Sequence, residues 1–142
     1  MANHIVLATS GAEYLAGLLQ LQLVLFKPKL HLYQNPVSLS INTVLGDFVE
    51  CTFPGYPGAV DLDFSGAGFF DPTQHWVLQA QLLTYSATAQ LPNPQQAIGY
   101  YVMDSTETTY LWAEQFPFRV WFRYKGDALL FQPQFGFLSE WG

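Results

Sequence analysis

Ala97-Ile98-Gly99-Tyr100-Tyr101-Val102-Met103-Asp104 is the stretch whose reading decides the fold class. Ile98, Tyr100 and Val102 alternate with Gly99, Tyr101 and Met103, so an extended chain here is apolar on both faces. A strand covered on both sides belongs in the middle of a sheet.

Working outward, residues 105–108 predict a hairpin connection and 109–116 the next strand. Pro117 is expected to end that strand, because proline cannot donate to a ladder. Beyond it Phe118, Val120, Phe122 and Tyr124 alternate with Arg119, Trp121, Arg123 and Lys125, the pattern of a half-wetted strand. Lys125-Gly126-Asp127 turns the chain. Leu129, Phe131, Pro133, Phe135 and Phe137 then share one face of a last strand, with Leu130, Gln132 and Gln134 opposite. Pro133 predicts that this strand is an edge or carries a bulge. On the other side, residues 76–84 read as one strand, with Trp76, Leu78, Ala80 and Leu82 on one face and Gln79 and Gln81 on the other. Pro92 and Pro94 mark the loop that follows it.

The first half is less regular. Ser10 and Glu13 have the spacing of a helix-capping box, and Tyr14, Leu15, Leu18 and Leu19 form an apolar stripe, which predicts a short helix over 11–20. From Leu21 the period changes to two: Leu21, Leu23 and Leu25 alternate with Gln22, Val24 and Phe26, which predicts a strand before Lys27-Pro28-Lys29. Residues 30–33 extend that strand or begin another. After the Asn35-Pro36 turn, Ile41, Val44, Leu45 and Phe48 fit one face of a short helical turn within 40–48. Residues 53–58 are dense in Pro and Gly and predict a loop, 59–64 a short strand, and 65–73 a glycine-containing loop. The sum is a mainly β chain of antiparallel strands, a sandwich or barrel-like domain with a short N-terminal helix. At 142 residues it is expected to be a single domain, with residues 1–20 as arm and helix and 21–142 as the sheet-rich body.

Composition narrows the function. The chain has four Trp, eight Tyr and twelve Phe, yet only 11% charged residues, less than half the common share. A domain of this size cannot bury so many aromatics completely. Weakly charged, aromatic-rich surface is what the centre of a protein interface is made of. Trp76, Tyr101, Trp112, Trp121 and Trp141 are therefore the candidate contact residues. Net charge is −6 with five basic residues, too few to neutralise phosphates, so no nucleic acid is expected as partner. Residues 15–26 are interrupted by Gln20 and Gln22 and are too short to cross a bilayer, and the N-terminus lacks the pattern of a signal peptide. Cys51 stands alone, without metal-ligand spacing, and reads as a small buried residue.

The candidate chemistry is thin. His4, His31 and His75 sit in no nucleophile motif, and His31 is expected to alternate with core residues. Asp61 and Asp63 would share a strand face and, with Asp71, offer oxygen to a hard cation, but they read better as solvated edge or turn carboxylates. His75-Trp76 at a loop mouth offers a stacking platform for a sugar. Asp104 reads as a turn acid holding backbone N–H groups, and Glu114 as a partner for Arg119 or Arg123 across a hairpin. No catalytic residue, cofactor or metal is assigned, and the chain is not expected to be an enzyme.

Several segments in order carry a resemblance. They are the N-terminal helix followed by Leu23-Val24-Leu25-Phe26, then Gly46-Asp47-Phe48 and Pro54-Gly55-Tyr56. Later come the stretch 98–104, Leu111-Trp112-Ala113-Glu114-Gln115-Phe116, and Gly126-Asp127 ahead of Gln132-Pro133-Gln134-Phe135. This order resembles a family of small structural proteins of tailed phages, cyanophages among them. The resemblance implies a virion component without enzymatic activity, and first of all a decoration or cement subunit on the capsid exterior, made in the host cytoplasm. It implies the major capsid protein and further copies of the chain as partners, typically in a trimer. A tail, baseplate or fibre-associated protein, with or without carbohydrate recognition, is the alternative. Residues 27–57 depart most from the pattern.

Overall fold

The computed structural model describes residues 9–66, 69–70 and 75–138; for 9–16, 69–70, 75–76 and 135–138 it describes the backbone alone. The elements in chain order are helix α1 (Thr9–Leu25), β1 (Lys29–Tyr33), a 3-10 turn (Leu45–Asp47), β2 (Val60–Asp61), β3 (Phe69–Phe70), β4 (His75–Gln79), β5 (Leu83–Ser86), β6 (Gln95–Met103), β7 (Tyr110–Phe122), β8 (Ala128–Phe131) and β9 (Gln134–Leu138). The fold is mainly β and every described ladder is antiparallel, as the sequence predicts. The chain divides into two compact units.

One unit comprises Pro28–Leu62 and Leu83–Phe131. Its four-stranded sheet has the order β2-β1-β6-β7, and β5 pairs with β8. β6 is central, as predicted, and all residues from Ala97 to Met103 are buried. Gly99 lies opposite Tyr33 of β1, and a Cβ there would collide with the Tyr33 ring and hydroxyl and the Glu114 carbonyl. Glycine is therefore required by close approach, not by a turn. Around β6, Tyr33, Ile98, Tyr101 and Met103 form one cluster, with Phe48 and Tyr110 packed on it. Tyr100 stacks on Phe131, and Phe53 stacks on Phe122 with ring centres 3.9 Å apart.

β7 runs through Pro117, where the sequence predicts a break. The register explains this. Ala97 faces Val120 and Gly99 faces Gln115, so residues 116–119 bulge opposite Ile98 alone. A bulge needs no ladder donor at Pro117, and the strand continues beyond it.

The other unit comprises Met1–Lys27, Asp63–Leu82 and Gln132–Gly142. Its sheet has the order β3-β4-β9, and α1 packs against β4 and β9. Several sequence expectations are corrected here. Residues 21–25 are helical, because Leu and Gln are good helix formers and no breaker intervenes before Pro28. The helix also includes Thr9 and Ser10, so Ser10 lies within it and not at its cap. The supposed strand 76–84 is two strands, and so is 129–137. β4 pairs with β9 and β5 with β8, and both stretches break at the same level. There the Ala80 N–H donates to the Pro133 carbonyl (2.9 Å), and the Gln132 amide donates to the Ala80 carbonyl (2.8 Å). Pro133 is thus the interruption between two strands, not a residue of one edge strand. Within the expected loop 65–73, Phe69–Phe70 pairs with β4 as a short strand.

Candidate functional site: an outward-facing apolar surface

In the loop after β1, polar side chains bond the loop's own backbone while four large apolar side chains are exposed. The Asn35 amide donates to the Asp47 carbonyl (2.8 Å) and its oxygen accepts from the Val49 N–H (2.7 Å), which closes the loop at its base. The Asp47 carboxylate accepts from the Val44 N–H, and the Thr43 hydroxyl accepts from the Ser40 N–H. With these bonds closing the loop on itself, Ile41 is fully exposed (101%), and Val44, Leu45 and Val49 are exposed as well. The sequence groups Ile41, Val44, Leu45 and Phe48 on one helical face. Only Phe48 packs inward, stacked on Tyr101 at 4.7 Å, and the helical part is the single turn Leu45–Asp47.

This loop flanks the start of β7. Leu39, Ile41, Thr43, Tyr110, Leu111 and Trp112 line an open groove of about 480 Å³ between them. β7 is the outer strand of its sheet, and among the described residues no strand pairs with its free edge. Leu111, Phe118 and Trp121 are exposed along it, and Arg123 lies over the Trp121 ring at 4.8 Å. A free edge invites pairing with another chain; the bulge at Pro117 limits how much of it is flat enough to pair.

The five sequence candidates separate. Trp121 is exposed on β7, and half-buried Trp112 lines the groove. Tyr101 is buried (6% exposed) between the His31 and Phe48 rings, so it belongs to the core and not to a contact surface. Trp76 lies on β4, but its side chain is outside the described residues, and so are Trp141 and His4.

A polar cluster that the sequence does not announce lies under this surface. A short bridge between Tyr33 and Glu50 brings Glu50 beside β1. His31 Nδ1 lies 2.6 Å from Glu50 and Nε2 lies 2.6 Å from Glu107. Two carboxylate acceptors are matched when the ring carries an N–H at each end. The Tyr56 hydroxyl donates to Glu50 (2.5 Å) and accepts from the Leu32 N–H, and burial pushes its proton affinity up strongly. Glu107 adopts a left-handed backbone (φ 57°), an unfavourable state for a side-chain-bearing residue that the His31 bond helps to hold. The cluster ties β1, the residue before Cys51 and the β6–β7 hairpin together. Both ring nitrogens are engaged, and burial raises the Cys51 thiol to about 12. Nothing in the spacing of residues 31, 50 and 107 foretells this contact.

The carboxylates find separate partners. Asp61 pairs with Lys29 (2.5 Å), while the Ser65 hydroxyl and N–H donate to Asp63 and hold its carboxyl below the ordinary range. Asp71 is outside the described residues, and among those described no group of three His, Cys, Asp or Glu is placed to hold a metal. Asp104 is a turn acid as read: it accepts from the Thr108 and Thr109 N–H groups and the Thr106 hydroxyl, which hold it at about 2. Glu114 does not bridge to an arginine; it accepts from the Tyr100 hydroxyl at 2.5 Å. A polar hollow of about 270 Å³ in the α1 unit is lined by Asp63, Gln79, Gln81 and Gln132. Gln81 and Gln132 there already bond the backbone at Asp63 and Ala80.

No family model, curated protein or solved structure matches this chain. What it does is therefore read from its own surface.

Proposed function

We propose that this protein is a non-enzymatic virion structural component, a decoration or cement subunit on the capsid exterior that binds and bridges major capsid proteins. The observation that carries the binding part is the loop 39–49 with its apolar side chains held outward beside Trp112. Exposing Ile41, Val44, Leu45 and Val49 together costs solubility and earns no packing. Such a surface is explained by a partner that covers it. The capsid as that partner rests on the resemblance in the sequence, as does self-association, typically in threes. Repeated weak contacts on a lattice add up to firm attachment, so each copy needs only a modest patch. With five basic residues nucleic acid is not a partner, and among the described residues no helix is long and apolar enough to cross a membrane. The reading involves no cofactor.

The test is co-sedimentation with intact capsids. Ile41→Asp combined with Leu111→Lys is expected to lower capsid occupancy about tenfold or more while leaving the circular dichroism spectrum unchanged. Wild-type protein that pellets with isolated tails and not with capsids would replace this role with the tail or baseplate one.

A further inference from the structure

Helix α1 has a second apolar face. Leu23 is buried and Gln20 is turned inward, donating to the Phe64 and Gly66 carbonyls. On the opposite side Leu18, Leu21 and Leu25 are exposed at spacings of three and four, with Phe26 just beyond. That is the spacing of a helix seam that packs on another helix. A shallow hollow of about 340 Å³ lies at the flank of that face, bordered by Gly17, Gln20, Leu21, Val24 and Ser65. Protruding leucines therefore stand next to an open space at the edge of the helix.

We propose that this face pairs with the same face of a second copy, antiparallel about a two-fold axis at Leu21. That register sets Leu21 against Leu21, Leu25 against Gly17 and Leu18 against Val24, so the glycine leaves room for Leu25 at each end. A two-fold contact must be self-complementary in this way. Charge agrees. Residues 14–26 carry no charged side chain, so two copies of net charge −6 meet there without repulsion. Leu18, Leu21, Leu25 and Phe26 leave roughly 450 Å² open, over half of the ~800 Å² that each partner gives a standard interface. The proposal deepens the self-association in the reading above and is independent of the capsid. A two-fold contact closes on itself, so it doubles whatever assembly the rest of the chain forms.

The experiment is cysteine cross-linking of the full chain, in which native Cys51 is buried. Leu21→Cys is expected to give a disulfide-linked dimer under mild oxidation, and Gln22→Cys little or none. Gly17→Cys mixed with Leu25→Cys is expected to link where neither does alone. Light scattering is expected to show Leu21→Lys at half the wild-type mass, with an unchanged circular dichroism spectrum. Absence of the Leu21→Cys dimer, equal linking by Gln22→Cys, or an unchanged mass for Leu21→Lys would each overturn the pairing. A capsid-binding failure with the cross-link intact would overturn the virion role and leave this contact standing.

Discussion

The two units spend their apolar residues differently. Around β6 the side chains are turned onto one another: Leu30, Leu32, Val102 and Phe122 are fully buried, and rings stack from Phe53 to Phe131. Along α1 four large apolar side chains face outward within nine residues. Both units contain abundant leucine and aromatics, so composition does not separate them. What separates them is whether a segment has sheet on both sides or on one. A central strand can bury everything it carries, whereas a helix on one face of a three-stranded sheet buries one stripe.

This contrast can be broken by substitution, and the largest effect is expected at Gly99. Gly99→Ala forces a methyl group into the Tyr33 ring and the Glu114 backbone, neither of which can withdraw. A loss of about 4 kcal/mol or more is expected in urea denaturation, or failure to fold. A variant with near wild-type stability would mean that β1 and β7 do not hold β6 as tightly as described.

Next comes a matched pair of truncations. Phe122→Ala removes a fully buried ring stacked on Phe53 and is expected to cost about 3–4 kcal/mol. Leu25→Gln at the exposed end of α1 is expected to change fold stability by less than ~0.5 kcal/mol in dilute protein. Similar costs for both would erase the distinction between the units.

The smallest effect concerns acid. The folded carboxyl of Asp104 sits at about 2, below its ordinary 3.8, because backbone N–H and hydroxyl donors favour its charged form. Its contribution is present above the ordinary value and is lost as pH falls through the folded one, between about pH 4 and pH 2. Asp104→Asn is expected to flatten the fall of the melting temperature across that window. An unchanged slope would show that the β6–β7 turn does not need the charge.

Much of the sheet was legible in advance. Residues 97–104 announce a central strand, because two apolar faces leave no side for water, and Asp104 announces its turn. The β class, the turn at 125–127 and the strand on either side of it follow from period and breakers. The candidate surface was legible in kind and not in place. Aromatic excess over charge points to contact surface, yet of the named residues Trp121 is exposed, Trp112 half-buried in a groove, and Tyr101 part of the core. Residues 40–48 read as a short helical turn with Ile41, Val44, Leu45 and Phe48 on one face; that local spacing does not tell inward from outward, and only Phe48 packs in.

By itself the sequence determined the local states that sterics and period control: the β class, the turns at 104–108 and 125–127, and that β6 is covered twice. Tertiary structure decided what depends on residues far apart in the chain. It split 76–84 and 129–137 into paired halves, carried β7 through Pro117 by a bulge, and set His31 between Glu50 and Glu107. It also kept residues 21–25 helical, because a Leu-Gln alternation fits either period and the sheet under α1 rewards only one of them.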